Sequence, residues 1–353
     1  MCIPKLTVLT VVHNGERYLE PAIESILAQD FADFEYLIVD DGSTDDSPQI
    51  VKRWAERDPR IIVECIPQRT GIAHALNRGL ALARGKYIGR QDADDICLGS
   101  RLRRQVDQLD REPDVVLVSA NYTMIDSEGR WAGRCIVENP SALFPYLLNF
   151  SNALAGAGSQ GMFRRDIARE LGGFCEDFEV SVDYEFWTRL VQRGTVVILP
   201  FTGLNYRLHS RQVSIQLREL QRRNSHLNSR RMLTAHLGRA LSDDEFSAVA
   251  SIWRQEGRTG VAALGNRVLR EAHARFATGA NPALRLRVRR ITAGQWLLSS
   301  IALARVHSFA EAARHLGYSL LWHPAGLSVG IAYLAERLLV RIRRTLHADP
   351  GRP

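Results

Sequence analysis

LTVLTVVHNGERYLEPAIESILAQ, residues 6–29, opens with seven residues rich in β-branched side chains, breaks at His13-Asn14-Gly15-Glu16, and resumes with apolar residues at helical spacing from Tyr18 to Ala28. It reads as a strand, a polar loop and a helix. The alternation returns downstream, with Tyr36–Val39 as a strand, Ser47–Arg57 as a helix, Ile61–Ile66 as a strand, Gly71–Ala83 as a helix and Tyr87–Gly89 as a strand. Segments alternating at this spacing predict an α/β fold, a mostly parallel sheet with helices on both faces.

Ligands of such sheets sit beyond the carboxyl ends of the strands. Three polar clusters fall there: His13-Asn14-Gly15 after the first strand, Asp40-Asp41-Gly42-Ser43 after the second, and Gln91-Asp92-Ala93-Asp94-Asp95 after the fourth. Asp92 and Asp94, two residues apart at a strand end, can converge on one hard divalent cation, or on one cation and one sugar hydroxyl. Magnesium and manganese take oxygen ligands and keep phosphate oxygens in their shell. The adjacent carboxylates of Asp40 and Asp41 repel each other unless a cation or a donor-rich group lies near, whereas Asp45 and Ser47 read as helix caps.

Further along, Arg101–Asp110 reads as a helix, Val115–Tyr122 as a strand, and Met124–Trp131 as a turn around Ser127-Glu128-Gly129. Phe144–Phe150 is a short helix or strand, and Met162–Phe163, the helices Asp166–Leu171 and Tyr184–Gln192, and strands at Val196–Leu199 and Leu204–Leu208 follow. A globular domain is expected to span residues 1–214. Arg164 and Arg165 stand as candidates for phosphate or acceptor contact or for a structural role. Of Phe186 and Trp187, one is expected in the core and the other against a sugar ring.

Beyond residue 214 the character changes. Residues 1–215 hold 24 Lys and Arg against 30 Asp and Glu, whereas residues 216–353 hold 22 basic residues, all Arg, against 9 acidic ones. Residues 215–353 therefore read as a separate basic helical region. Ile291–Ala304 and Leu316–Ala335 lack charge, but the second contains Gly317, His323, Pro324, Gly326 and Gly330, which do not suit a straight spanning helix, and both read as interfacial helices. Tyr333–Arg344 sets Leu334, Leu338, Leu339 and Ile342 against Arg337, Arg341, Arg343 and Arg344, which suits an anionic membrane surface. A helical subdomain or a dimer arm is the alternative.

The five cysteines are odd in number, widely spaced and without a CxxC pair, which argues against a disulfide framework and a zinc site. No basic region, long apolar segment and small-residue cleavage site open the chain. A cytoplasmic location, peripheral on the inner face of the cell membrane, is the expectation.

VVHNGERYL (11–19), EYLIVDDGSTDDS (35–47), GIAHALNRGLALARGKYIGRQDADD (71–95), SVDYEFWTRLVQRG (181–194) and YRLHSRQVS (206–214), in this order and spacing, closely resemble the family 2 glycosyltransferases of the GT-A fold. The resemblance implies an inverting enzyme that moves a sugar from a nucleotide-diphosphate donor to a saccharide or lipid-linked acceptor in cell-surface polysaccharide synthesis. It implies that Val12, His13, Asn14 and Glu16 lie against the nucleotide base, that Asp41, with Asp40, accepts a hydrogen bond from it, and that Arg69 stands nearby. Asp92 would hold the ribose, Asp94 the divalent metal, Mn or Mg, and Asp183 would act as base. Val182 stands where many members carry a polar residue, so a two-carboxylate version of that motif is absent. His209 is the candidate for a second metal ligand or a phosphate donor.

Chemistry supports the same assignment. An acceptor hydroxyl is a poor nucleophile until a carboxylate takes its proton, and a leaving diphosphate gathers charge that a cation offsets. Rival readings fare worse. A dehydrogenase-like nucleotide binder wants GxGxxG after the first strand, and a phosphatase wants its aspartates there. A nucleotidyltransferase wants a glycine-rich basic loop at the same place. A non-catalytic sugar-nucleotide binder keeps the fold but not the base. The basic region lacks the interleaved aromatic residues of a recognisable nucleic-acid module, so no nucleic-acid partner is expected.

Overall fold

The computed structural model describes residues 3–137, 140–154 and 156–324. Strands β1 (Leu6–Val12), β2 (Phe34–Asp41), β3 (Ile61–Ile66), β4 (Tyr87–Arg90), β5 (Ile96–Cys97), β6 (Val115–Ile125), β7 (Trp131–Cys135), β8 (Met162–Arg164) and β9 (Thr195–Arg207) form one sheet. Its order is β3-β2-β1-β4-β8-β6-β9-β5, with β7 paired to β6. Helices α1 (Glu16–Leu27), α2 (Ser47–Arg57), α3 (Ile72–Leu82), α4 (Arg101–Arg111), α5 (Phe144–Leu147), α6 (Ala157–Gln160), α7 (Arg165–Glu170), α8 (Val182–Leu190) and α9 (Val213–Gln216) accompany it.

The chain divides into two compact units, residues 1–145 with 152–225, and residues 146–151 with 226–353. In the first, β1 and β2 are apolar runs whose side chains are buried almost throughout, as expected of central strands covered on both faces. The expected parallel pairing holds for β3-β2-β1-β4. Beyond β4 the sheet is mixed, because the short β8 runs antiparallel to both β4 and β6, while β6 and β9 are parallel. The two strands expected at Val196–Leu199 and Leu204–Leu208 are one. Pro200 and Phe201, which break the pattern in the sequence, are absorbed by a register shift where Leu199 pairs with Ala120 and Thr202 with Asn121.

Helix α3 lies close on β1. A methyl group at Gly79 would meet the side chain of Leu9 at 2.3 Å, and one at Gly85 would meet the backbone nitrogen of Thr7 at 2.3 Å. Buried Glu35 ties the same corner together: its Oε1 accepts from Thr7 Oγ1 at 2.6 Å and from the Arg84 backbone N–H at 2.7 Å. Gly85 in turn donates to Thr7 Oγ1 at 2.9 Å.

The second unit includes α11 (Asp243–Arg254), α12 (Ala262–Gly279), α13 (Pro282–Arg305) and α14 (Phe309–Trp322), and the long α10 (Arg218–Leu237) leads into it. A reciprocal capping box starts α11, with Ser242 Oγ accepting from the Glu245 N–H and Glu245 Oε2 from the Ser242 N–H, both at 3.1 Å. The expectation that Ile291–Ala304 is interfacial is corrected: this stretch belongs to α13, whose Thr292, Ala293, Trp296, Leu297, Ser299, Ser300 and Leu303 are buried. Ser300 and Ser319 bond the Ala312 and Ala293 carbonyls at 2.7 and 2.8 Å, which locks α13 onto α14. On α14, Phe309 and Leu321 remain 65% and 73% exposed. The amphipathic stretch Tyr333–Arg344 lies outside the described residues. Among the described residues no helix is long and apolar enough to cross a membrane.

Gly85→Ala is expected to destabilise the chain by about 1–3 kcal/mol, the cost of overpacking against backbone that cannot yield; urea unfolding monitored by circular dichroism measures it.

Candidate active site

The first two strand-end loops are sewn together. The Asn14 N–H donates to Ser43 Oγ and the Gly15 N–H to Ser47 Oγ, both at 2.9 Å, while the Glu16 N–H donates to Asp45 Oδ2 at 3.1 Å. Asn14 Oδ1 accepts from the Thr44 N–H at 2.8 Å, and Glu16 Oε2 from the Asp46 N–H at 3.0 Å. The expectation that Asp45 and Ser47 cap α2 is corrected: the N-cap is Asp46, with no side-chain cap bond; Asp45 Oδ1 accepts from the Ser47 N–H at 3.0 Å, and both side chains satisfy exposed amides at the start of α1 instead. Asn14 holds φ 53°, a conformation asparagine tolerates better than most residues. His13 Nδ1 donates to the Asp41 carbonyl at 2.8 Å, which fixes its tautomer.

Asp41 is 2% exposed. Its Oδ1 accepts from the Thr70 N–H and hydroxyl at 2.7 and 2.8 Å, and its Oδ2 from the Gly71 N–H at 2.9 Å. Asp40 accepts from the Ser43 N–H at 3.2 Å. The donors that let two carboxylates sit side by side are therefore the chain's own amides. Asp41 folds the loop carrying Arg69, and both line the cavity; Asp40 is not among the lining residues, and the part expected of it against a base is not what its geometry offers.

At the end of β4, Asp92, Asp94 and Asp95 each offer a carboxylate oxygen within 4.8 Å of the others. Burial raises the pKa of Asp92; Arg90 opposes the rise and Asp94 adds to it. Asp92 Oδ1 takes the buried Arg90 Nη2 at 2.7 Å, and Oδ2 takes the Ser159 hydroxyl at 2.7 Å. Burial, then Asp94 and Asp92, push Asp95 well above the usual carboxylate range. Its Oδ1 accepts from the Arg207 N–H at 2.8 Å. Its buried Oδ2 has no hydrogen bond of its own among the described residues, because the single hydroxyl proton of nearby Ser159 goes to Asp92. Three crowded carboxylates with an orphaned oxygen have the chemistry that a hard divalent cation would take.

His209 Nε2 lies 2.9 Å from Asp94 Oδ2. Its Nδ1 accepts from the Arg211 N–H at 3.2 Å, so Nε2 carries the proton and donates it to Asp94. To bind a cation through Nε2, the ring would first have to give up the Arg211 contact. The buried Arg207 donates to the Asp94 carbonyl at 2.9 Å and lies 4.7 Å above the Tyr18 ring, which fastens the acidic loop to β9.

Asp183 stands in the first turn of α8, which opens from Ser181 at φ 61°. Asn152 Nδ2 donates to Asp183 Oδ2 at 3.0 Å. Burial raises the Asp183 pKa, against the pull of the Tyr184 N–H, Asn152 and Arg90. Phe186 packs against Phe174 at 4.4 Å and is core. Trp187 lines the cavity, and its indole N–H is without a partner among the described residues.

Val12, His13, Asn14, Glu16, Asp41, Arg69, Asp92, Asp94, Asp183 and His209 all line one cavity of about 630 Å³. Sequence reasoning missed Arg90, Asp95, Ser159 and Arg207: Asp95 and Arg207 meet from distant segments, as do Ser159 and Asp92, while Arg90 reaches Asp92 two residues on and the distant Gly158 carbonyl. Arg164 and Arg165 prove structural: Arg164 Nε donates to the Val115 carbonyl and Arg165 Nη1 to the Ala83 carbonyl, both at 2.8 Å.

Comparison with known proteins is consistent with this geometry. Residues 7–172 match the model of Glycosyl transferase family 2. The putative glycosyltransferase EpsE of Bacillus subtilis is 34% identical over 195 residues, 54% of this chain and 68% of that protein. The O-antigen biosynthesis glycosyltransferase WbnJ of Escherichia coli is 27% identical over 210 residues, 58% of this chain and 80% of that one. The chain spans about half the length of two other relatives. Among solved structures, the mannosyltransferase PcManGT from Pyrobaculum calidifontis, in complex with GDP-Man and Mn2+, superposes with TM-score 0.51 at 20% identity, covering 91% of this chain and 88% of that one.

Asp41→Asn would turn an amide NH2 toward one of the donors of Thr70 or Gly71 and leave it unsatisfied. A loss of about 1–3 kcal/mol in unfolding free energy is expected, read by chemical denaturation.

Proposed function

The chain belongs to glycosyl transferase family 2 and is a glycosyltransferase, and we propose that it moves a sugar from a nucleotide-diphosphate donor to a hydroxyl of a saccharide or lipid-linked acceptor, with inversion at the anomeric carbon. One observation carries the reading: Asp94 and Asp183 open into the same cavity, whose volume of about 630 Å³ is in the range of small-ligand sites. The β1–α1 loop, with Arg69 opposite, receives the base, and Asp41 shapes that floor. Asp92, whose oxygens keep free lone pairs beside Arg90 and Ser159, accepts from the ribose.

Asp183 takes the acceptor proton as the oxygen attacks. Its burial suits that task, since a carboxylate with a raised pKa is a stronger base. Attack on the face opposite the departing diphosphate inverts the centre without a covalent glycosyl-enzyme. Asp94 would hold a divalent cation, with Asp95 and Asp92 beside it, and such an ion would offset the charge on the leaving diphosphate. The proton on His209 Nε2 keeps Asp94 oriented, and a phosphate oxygen would take it only in place of Asp94. The Mn2+ and GDP-Man in the similar Pyrobaculum structure support this arrangement. The likeness to an O-antigen enzyme supports a role in surface polysaccharide synthesis.

We place the catalytic domain in residues 1–214 and a membrane-facing part in the basic C-terminal region. Six arginines lie between Pro282 and Pro324, where the sole acid is Glu311, which is buried. Beside them α14 exposes Phe309, Leu316, Leu320 and Leu321. Arginine flanking exposed apolar side chains fits an anionic bilayer surface, which would hold the enzyme on the inner face of the cell membrane.

Asp183→Asn is expected to lower kcat by about 100-fold or more while Mn2+-dependent nucleotide binding persists; transfer at the parental rate would remove the base assignment. Because its pKa is raised, Asp183 protonates at a higher pH than an ordinary carboxylate. Activity should therefore fall on acidification already above pH of about 4, and a kcat–pH profile checks it. In flotation assays, the full chain should bind vesicles containing phosphatidylglycerol and not pure phosphatidylcholine, and Leu320→Glu with Leu321→Glu should weaken that binding.

A further inference from the structure

Between the donor-side carboxylate Asp92 and the acceptor-side carboxylate Asp183 lies the Gly158–Ser159 segment of α6. It is held from one side: Arg90 Nε donates to the Gly158 carbonyl at 3.3 Å, Arg90 Nη2 to Asp92 Oδ1 at 2.7 Å, and the Ser159 hydroxyl to Asp92 Oδ2 at 2.7 Å. Arg90 is 5% exposed, so this clamp is set in the protein interior. On the other side the segment abuts the base. A Cβ placed on Gly158 would lie 2.8 Å from Asp183 Oδ2, 3.4 Å from its Cγ and 3.6 Å from its Cβ.

Gly158 is absent from the residues with positive φ, so the backbone there accepts any residue. Space against the Asp183 carboxylate is what excludes a side chain. The collision would be with the end of a side chain, which can swing, rather than with backbone, which cannot. A methyl group at Gly158 would therefore leave the fold in place and turn the Asp183 carboxylate off its 3.0 Å bond from Asn152. By contrast, Gly156, two residues earlier, has φ 74° and needs glycine for conformational reasons.

We propose that the Gly158–Ser159 segment, clamped by Arg90 and Asp92, is the spacer that sets the position of the Asp183 carboxylate relative to the bound donor, and that Gly158 is a positioning residue whose missing side chain makes room for the base. The proposal rests on the reading of Asp183 as that base. Arg90 thus acts at both ends of the reaction, on Asp92 directly and on Asp183 through the Gly158 carbonyl. A carboxylate misplaced by about 1 Å loses on the order of a hundredfold in rate, although nothing in the donor's binding surface has changed.

The test uses the full chain with Mn2+ and whichever sugar nucleotide, from a panel of UDP-, GDP-, ADP- and dTDP-sugars, the parent enzyme turns over fastest, with nucleoside diphosphate release as readout. Gly158→Ala, Asp183→Asn and the double variant are compared with the parent for kcat, donor KM and thermal unfolding. Gly158→Ala should lower kcat by about a hundredfold with donor KM and melting temperature near parental values, and the double variant should be no slower than Asp183→Asn alone, because both changes act on one group. If Gly158→Ala keeps parental kcat while Asp183→Asn is inactive, the spacer role is wrong and the base stands. If Asp183→Asn itself keeps parental kcat, the base reading falls and takes the spacer with it. A Gly158→Ala chain whose donor KM rises in step with the loss of rate, or whose melting temperature collapses, likewise overturns the proposal, since the residue would then serve the donor pocket or the fold.

Discussion

Three carboxylates, Asp92, Asp94 and Asp95, crowd to within 4.8 Å at the end of β4, and the structure around them is organised to tolerate that repulsion. Arg90 comes from the strand itself, Ser159 from α6, Arg207 and His209 from the end of β9 and just beyond it. Each spends a proton on this one corner. Without those donors the buried charges would be neutralised by protonation, and the corner would no longer suit the cation proposed for it. The mixed half of the sheet has its purpose here, since pairing β8, β6 and β9 beyond β4 brings residues more than sixty positions later in the chain against the acidic loop.

The opposite half of the cavity has a different character. The two loops that close the parallel half are tied by side chains to each other's amides, and Asp41 anchors the loop after β3. The half proposed for the acceptor is furnished by one helix start, at which Ser181 holds φ 61°, and by a glycine pressed against Asp183. Two of the four non-glycine residues with positive φ among the described residues, Asn14 and Ser181, border this cavity. Such strain is tolerated where the surroundings over-determine the backbone.

Much of this was legible in the sequence. β1, α2 and β3 fall at the positions that the apolar periodicity predicts, because each is a short run bounded by turn residues with no competing pattern. That Asp94, Asp183 and His209 meet in one cavity was legible as well, because strand-end position and ordered motifs single them out. What stayed hidden was pairing. Arg90 lies just past the expected strand and Ser159 in a stretch with no assigned element, and nothing local announces that both bind Asp92. Asp40 misled for the related reason that adjacent acids suggest a ligand, whereas here the backbone supplies the compensating donor. The break at Pro200 looked like a strand end, and only the neighbouring strand shows it to be a bulge.

The sewn loops at the ends of β1 and β2 carry a thermodynamic consequence. Ser43, Asp45 and Ser47 already occupy the amides of Asn14, Gly15 and Glu16, so a nucleotide bound there as proposed would meet a floor already ordered by the fold. Capture of the base would then carry the heat-capacity signature of the ligand's own buried surface and not that of a loop condensing around it. Such a site would hold its donor with modest contacts, and release of the spent nucleotide would not have to wait for the floor to melt.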